Sequence, residues 1–381
     1  MAAPDALRAP LRTLDRLVER TPSDRDRVVD AVRAFSILVV LVWHWSLSIT
    51  HRTPEGALVN PNPLDQVPAG WFFTWFAQVM PLFFVVGGFA NCAAWRSEIS
   101  KGGGARSFLR RRARRLLAPV GAFLGVWIVA DAAAWALVDT HRTVLDEIDI
   151  VFNPLWFIGP YLFVVLCVPL TASAHRARPV ATFAVLLGAV VAVDVVRFST
   201  GFEPIGWLNL GLVWLLIHQL GYLWADGTLR GGVNRRTVMV TAGGLVALVA
   251  LTSLAVYPRS LVATAGTEIS HLSPPTVVLV AAAVLQLGVI LLLRPTLARL
   301  LEGDAAWRPV VAVNAVIMTI FLWHMVALWF AIEIFEAFGG TLGSEPTLSW
   351  WLTRPLWIIG PAVLLVPLVA LFAVFELGRR E

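Results

Sequence analysis

Asp30-Ala-Val-Arg33-Ala-Phe-Ser-Ile-Leu-Val-Val-Leu-Val-Trp43-His44-Trp45 is the first long apolar stretch of the chain, and it carries an arginine and a histidine eleven positions apart. At roughly 100° per residue, eleven steps overshoot three turns of an α-helix by only about 20°. Arg33 and His44 therefore share one stripe of a helix, about 16 Å apart along its axis. Ionisable groups at membrane depth are costly, and they usually face a bundle interior or a water-filled cavity. A cation near one end and an imidazole deeper on the same face point to a lined site for chemistry or transport.

Outward from that segment, apolar runs long enough to cross a bilayer recur along most of the 381 residues. Hydrophobic residues make up 58% and charged ones 14%, the signature of a polytopic helical membrane protein. Ten spans are predicted, at roughly 31–50, 71–95, 116–138, 154–172, 179–198, 204–225, 237–257, 275–293, 309–335 and 350–376. Placing the N-terminus in the cytoplasm puts 25 of the 30 Lys and Arg residues on inside segments. That asymmetry supports an all-α fold of about ten spans with both termini cytoplasmic. The net charge of +5 sits between apolar runs, where it orients spans. No basic domain for nucleic acid is implied. Cys92 and Cys167 read as buried small hydrophobes. Residues 1–25 read as a cytoplasmic leader. Leu7, Leu11, Leu14 and Val18 fall at helical spacing among arginines, which suits an interfacial helix or, equally, a disordered tail. Residues 26–381 read as one transmembrane domain. Trp71, Trp75, Trp207, Trp224, Trp307, Trp350 and Trp351 fall near predicted span ends, where interfacial belts place tryptophan.

The chemistry-bearing candidates follow. The reference pKa of an imidazole suits general-base work near neutral pH, and Trp43 and Trp45 would keep His44 partly dry. A histidine bonded to a backbone carbonyl in the core is the structural alternative. Arg33 reads either as a phosphate or pantetheine contact at a pore mouth or as a snorkelling arginine paired with Asp30, one turn earlier. Ser107-Phe-Leu-Arg-Arg-Arg-Ala-Arg-Arg-Leu-Leu-Ala-Pro119 packs five arginines into six positions. Arg112 and Arg115 share a helix face there and suit a phosphate clamp, after a flexible Lys101-Gly-Gly-Gly104 hinge. Ordinary orienting charge is the alternative. His324 lies deep in the ninth predicted span as an orienting group, a headgroup ligand or a satisfied core histidine. Asp131, the one-turn pair Asp194–Arg197 and His218 read as structural or buried polar groups. No metal-ligand spacing, phosphate loop or dinucleotide fingerprint is present, so no metal is expected.

Five segments in order resemble the acyltransferase-3 family of integral membrane acyltransferases. They are Asp30-Ala-Val-Arg33 with His44, Pro81-Leu-Phe-Phe-Val-Val-Gly-Gly-Phe89, Arg112-Ala-Arg-Arg115-Leu-Leu-Ala-Pro119, Pro154-Leu-Trp156-Phe-Ile-Gly-Pro-Tyr161-Leu and Leu322-Trp-His324. The resemblance extends over about residues 26–376. It implies an O-acyltransferase of the cell membrane that moves an acyl group, acetyl in the first instance, from cytoplasmic acyl-CoA to a hydroxyl of an envelope glycan or small molecule. By resemblance Arg33 and His44 are the essential pair, and Arg112 and Arg115 the acyl-CoA contacts. Trp156, Tyr161, Asp30 and His324 are further motif or neighbouring candidates. Gly87 stands where the family commonly has Ser, and Ala118 where a second Pro is common. A proton-coupled transporter using Asp131, His44 and Glu333, or a polysaccharide flippase or polymerase, are the competing classes.

Overall fold

The computed structural model describes residues 18–19, 25–54, 56–138, 149–263 and 270–377. Of the amphipathic leader pattern, Leu7, Leu11 and Leu14 lie outside the described residues. The structure is 79% helical, and among the described residues ten helical segments are long and apolar enough to cross a membrane. The described strands are limited to one antiparallel ribbon, β1 (His51–Arg52) with β2 (Leu58–Val59).

The α-helices of five or more residues are, in order, α1 (Arg27–Val42), α2 (Gly70–Ala77), α3 (Met80–Ser100), α4 (Ala105–Val138), α5 (Ile158–Ala177), α6 (Pro179–Thr200) and α7 (Asn209–Ala225). Then come α8 (Arg235–Ser253), α9 (Val277–Leu300), α10 (Asp304–Ala315), α11 (Ile317–Ala337), α12 (Leu348–Leu352) and α13 (Arg354–Leu377). Asp26 caps α1 by accepting from the Val28 and Val29 amides at 3.0 and 3.3 Å, while Arg294 of α9 holds its other oxygen at 2.9 Å.

Three predicted spans have different bounds. The second comprises two helices, α2 and α3, with Pro81 in the first turn of α3, where its missing N–H costs nothing. Pro160 likewise falls in the first turn of α5. The ninth begins at Ile317, since residues 304–315 form the separate helix α10. The third extends back to Ala105 through the whole arginine cluster.

The inner layer is α3, α7, α9 and α11. Some 61–67% of the apolar windows of α3, α9 and α11 is buried, against 17–22% for α6, α8 and α13, which present their surfaces outward. The closest approach is α3 against α7. A Cβ on Gly221 would stand 2.0 Å from the Val85 carbonyl oxygen, and one on Gly88 would stand 2.1 Å from that of His218. Small residues let backbones meet in this way. Gly221→Val is expected to destabilise the bundle by at least the ~1–3 kcal/mol of ordinary overpacking, read as a lower unfolding temperature in detergent. An unchanged temperature would refute this contact.

Trp75, Trp224, Trp307 and Trp350 are buried within the protein, so they pack the bundle and do not form a lipid belt. Trp207 and Trp351 do stay exposed. Cys92 is buried and Cys167 half-buried. Asp194 does not pair with Arg197 by hydrogen bonding. It accepts from Asn209, Tyr257 and the Val277 amide at 2.8–3.0 Å, and Arg197 grips Glu203 at 2.6 Å. Asp194 thereby fastens α6 to α7 and to the segment leading into α9, and Arg197 fastens it to the turn before α7.

Candidate active site

The first helix does not end as an α-helix. Trp43–Leu47 is wound as a π-helix, a wider turn that is frequent at functional sites. Two successive residues of that turn engage His324 of α11, which is fully buried. His44 Nδ1 lies 2.9 Å from His324 Nε2, with the rings 12° from parallel. The Trp45 indole donates to the His324 carbonyl at 2.9 Å. On its far side His324 Nδ1 stands 2.5 Å from the Phe321 carbonyl oxygen.

That chain of contacts fixes the tautomers of two neutral rings. A carbonyl only accepts, so the proton of His324 is on Nδ1 and its Nε2 is an acceptor. His44 then donates from Nδ1, which leaves the lone pair on His44 Nε2. The spacing in the sequence placed His324 in a helix but could not show that it meets His44.

Arg33 is held toward the bundle and does not extend along lipid. Its Nη2 pairs with Asp30 at 3.1 Å, and its Nε donates to Asn314 of α10 at 2.6 Å. Asn314 in turn donates to the Asp30 carbonyl at 2.8 Å, and Arg25 also pairs with the Asp30 carboxylate. Asn314 was missed by sequence reasoning. Its signal was a lone amide in the apolar run Val310-Val-Ala-Val-Asn314.

Between the two ends of the stripe, Ser36, Ile37 and Val40 line a void of about 10 Å³ with Phe83, Phe157 and Phe321 among its walls. That is room for about one water. Neither Arg33 nor His44 lines it, so the stripe borders a closed apolar seam and no open shaft.

The arginine cluster begins α4 beside a turn that the structure makes rigid. Buried Glu98 takes both Arg111 and Ser107, and a Cβ on Gly103 would sit 2.0 Å from a Glu98 oxygen. The glycine stretch is therefore a fitted turn and not a free hinge. Arg112, half-buried, donates to the Ala90 carbonyl at 3.1 Å and lies 5.6 Å from the Phe108 ring. Arg115 is exposed. Both line a cavity of about 950 Å³ with Lys101, Arg111, Arg114 and Glu376 of α13. Arg33 and Arg115, distant in sequence, lie close enough for their like charges to act on each other. Glu376 was also missed. It accepts from the Met318 and Thr319 amides at 3.1 and 2.8 Å, a carboxylate capping the start of the helix that carries His324.

Tyr161 packs over Gly87, where an added Cβ would stand 3.3 Å from its ring. The tight fit is a physical reason for glycine at that position. Trp156 is 41% exposed, on a 3₁₀ stretch beside Trp214, away from the histidine pair's hydrogen bonds. Glu333 joins no relay with His44, because it pairs with Arg52 at 2.8 Å. His218 meets Asn91 at 3.1 Å in the core.

At the end opposite the arginine cluster, a second cavity of about 360 Å³ opens beside the pair. Trp45, Thr50, Trp350, Arg354 and Trp357 are among its walls. The Trp45 side chain therefore touches both this cavity and His324.

A helical bundle with two hydrogen-bonded imidazoles, an arginine-lined cavity at one end and an aromatic cavity at the other defines a class of integral membrane protein with an internal polar centre. The chain belongs to the acyltransferase-3 family: the model of its acyltransferase domain matches residues 26–374, nearly the whole chain. No curated protein and no solved structure matches it. The family and the ten apolar helices mark it as a multi-pass membrane acyltransferase.

Proposed function

We propose that the protein is an O-acyltransferase that takes an acyl group, acetyl in the first instance, from acyl-CoA and delivers it to an acceptor hydroxyl, with His44 as general base. The observation that carries this reading is the ordered hydrogen-bond chain Phe321 C=O, His324, His44, which leaves a lone pair on His44 Nε2. The charge bias toward the arginine-rich face supports a cytoplasmic orientation for it. On that face Arg112 and Arg115 would hold the CoA phosphates, and Arg33, fixed by Asp30 and Asn314, would meet the pantetheine arm. The acceptor, an envelope glycan or small molecule, would enter from the cavity beside Trp45.

In the step itself His44 Nε2 takes the hydroxyl proton as the acceptor oxygen attacks the thioester carbonyl. The tetrahedral intermediate collapses and expels the CoA thiolate, which recovers the proton from His44. His324 serves as a positioning residue, accepting from His44 Nδ1 throughout. The closed seam between Arg33 and His44 means that Phe83, Phe157 and Phe321 must part to admit the acyl arm.

The test is purified protein in lipid nanodiscs with radiolabelled acetyl-CoA, followed for thiol release and for label in a supplied hydroxyl acceptor. Absence of acetyl-CoA binding and of thiol release would sink the proposal. Within that assay, His324→Ala is expected to lower kcat about 10²-fold by loosening the base, with the KM for acetyl-CoA unchanged. His324→Gln, whose amide oxygen can accept from His44, should recover part of the loss. A wild-type rate in His324→Ala would remove its positioning role.

A further inference from the structure

Arg354 begins α13 and lines the cavity beside Trp45, and among the described residues its charge has no acidic partner. Its Nε donates to the Trp350 carbonyl at 2.8 Å and its Nη2 to Thr353 Oγ1 at 3.3 Å. The guanidinium carbon stands 3.8 Å from the Trp350 ring centre and 5.8 Å from that of Trp357. Among the described residues no carboxylate pairs with it. The neighbouring arginines of this end differ: Arg52 is gripped by Glu333 and Glu336 at 2.8 Å, and Arg197 by Glu203. Those pairs hold the Arg52 guanidinium above its ordinary pKa, chiefly through the hydrogen bond to Glu336. A half-buried cation pinned by neutral groups is unfavourable unless something else supplies the negative charge.

The rest of the lining suits a hydroxylated ligand. Trp45, Trp350 and Trp357 offer flat apolar faces with polar edges. The hydroxyls of Thr50, Thr341 and Ser349 line the same cavity and make no side-chain hydrogen bond among the described residues. Its volume of about 360 Å³ is at the lower end of small-molecule sites, about 300–1,000 Å³. Arg354's planar fork favours a carboxylate or a phosphate over a neutral group.

We infer that this cavity is the acceptor subsite, and that Arg354 selects an acceptor whose sugar-like, hydroxyl-bearing portion carries an anionic group, a carboxylate or a phosphate. The inference rests on the acyltransferase reading and adds the acceptor's charge to it. The anion sits on Arg354 and the ring lies against the tryptophans. The hydroxyl to be acylated then points past Trp45 toward His44.

The test is a ligand-observed NMR titration of the full-length protein in phosphatidylcholine nanodiscs with methyl glucuronide, glucose 1-phosphate and methyl glucoside. No acyl-CoA is present, and acetyl-CoA turnover is measured separately, so failure of this inference and failure of the acyltransferase reading are distinguishable. At least one acid is expected to bind at least about tenfold more tightly than the neutral glucoside, the size of one charge-assisted hydrogen bond. The carboxylate and phosphate probes show which anion is read. Arg354→Gln should erase the preference, and Arg354→Lys should keep part of it, which separates lost charge from lost fold. Equal binding of all three probes, no binding by any, or a preference that survives Arg354→Gln would each overturn the inference. So would an Arg354-dependent loss of acid binding on exchanging the lipid for phosphatidylglycerol, which would assign the anion to a lipid headgroup.

Discussion

Replacing His44 with alanine is expected to lower the rate of acyl transfer by about 10²–10⁴-fold, the range for removing a positioned general base. The protein should still insert and fold. His44 contributes one side-chain hydrogen bond, to His324, and its loss, which leaves the buried His324 Nε2 without a donor, costs about 1–3 kcal/mol. The apolar surface of α1 that faces α3 is untouched. Acetyl-CoA binding should also survive, since His44 is about 16 Å along the helix from Arg33. The decisive comparison is single-turnover transfer in the variant beside acetyl-CoA affinity in the same preparation. Transfer within threefold of wild type would show that another group removes the proton. Loss of affinity together with rate would place His44 in donor binding instead.

The Arg112→Ala, Arg115→Ala double variant is expected to raise the dissociation constant for acyl-CoA at least tenfold. Each charge-assisted phosphate contact contributes about 1.5–3 kcal/mol, and exposure of Arg115 to solvent discounts its share. Orientation in the membrane should hold, because 23 positive charges on the inside segments still face five outside. The two single variants separate binding from stability. Arg112 also satisfies the Ala90 carbonyl, so its removal is expected to lower the unfolding temperature slightly. Arg115 makes no such bond among the described residues, and its removal should change affinity alone. Isothermal titration with acetyl-CoA reads both. An unchanged affinity in the double variant would reduce the cluster to an orienting charge and leave the donor site elsewhere on the protein.

The ten spans, the family and the arginine cluster were legible because each is local. Hydropathy over about 20 residues, five arginines in six positions and one helical stripe all survive in a linear string. The Arg33–Asp30 contact was legible for the same reason, being one turn of a single helix. The free hinge was misjudged because glycine spacing does not reveal that Glu98 folds back onto Gly103. The Asp194–Arg197 pairing was misjudged because helical proximity says nothing of stronger partners from other elements. Four of the seven span-end tryptophans pack the core, a burial that depends on which helices surround them.

By itself, then, the chain's pattern of apolar length, charge and spacing determined a polytopic bundle with Arg33, Arg112 and Arg115 near its more basic end. Only tertiary structure decided that His44 meets His324 and that Asn314 clamps Arg33. It likewise decided that Glu376 caps α11 and that Arg354 lines the aromatic cavity with no acid partner among the described residues. The physical reason is range. A helix stripe is set by a repeat every 3.6 residues, whereas a hydrogen bond between residues some 280 positions apart exists only after α1, α10, α11 and α13 have packed. The π turn at Trp43–Leu47 lies on that boundary, since its wider winding appears where two successive side chains both engage one buried histidine.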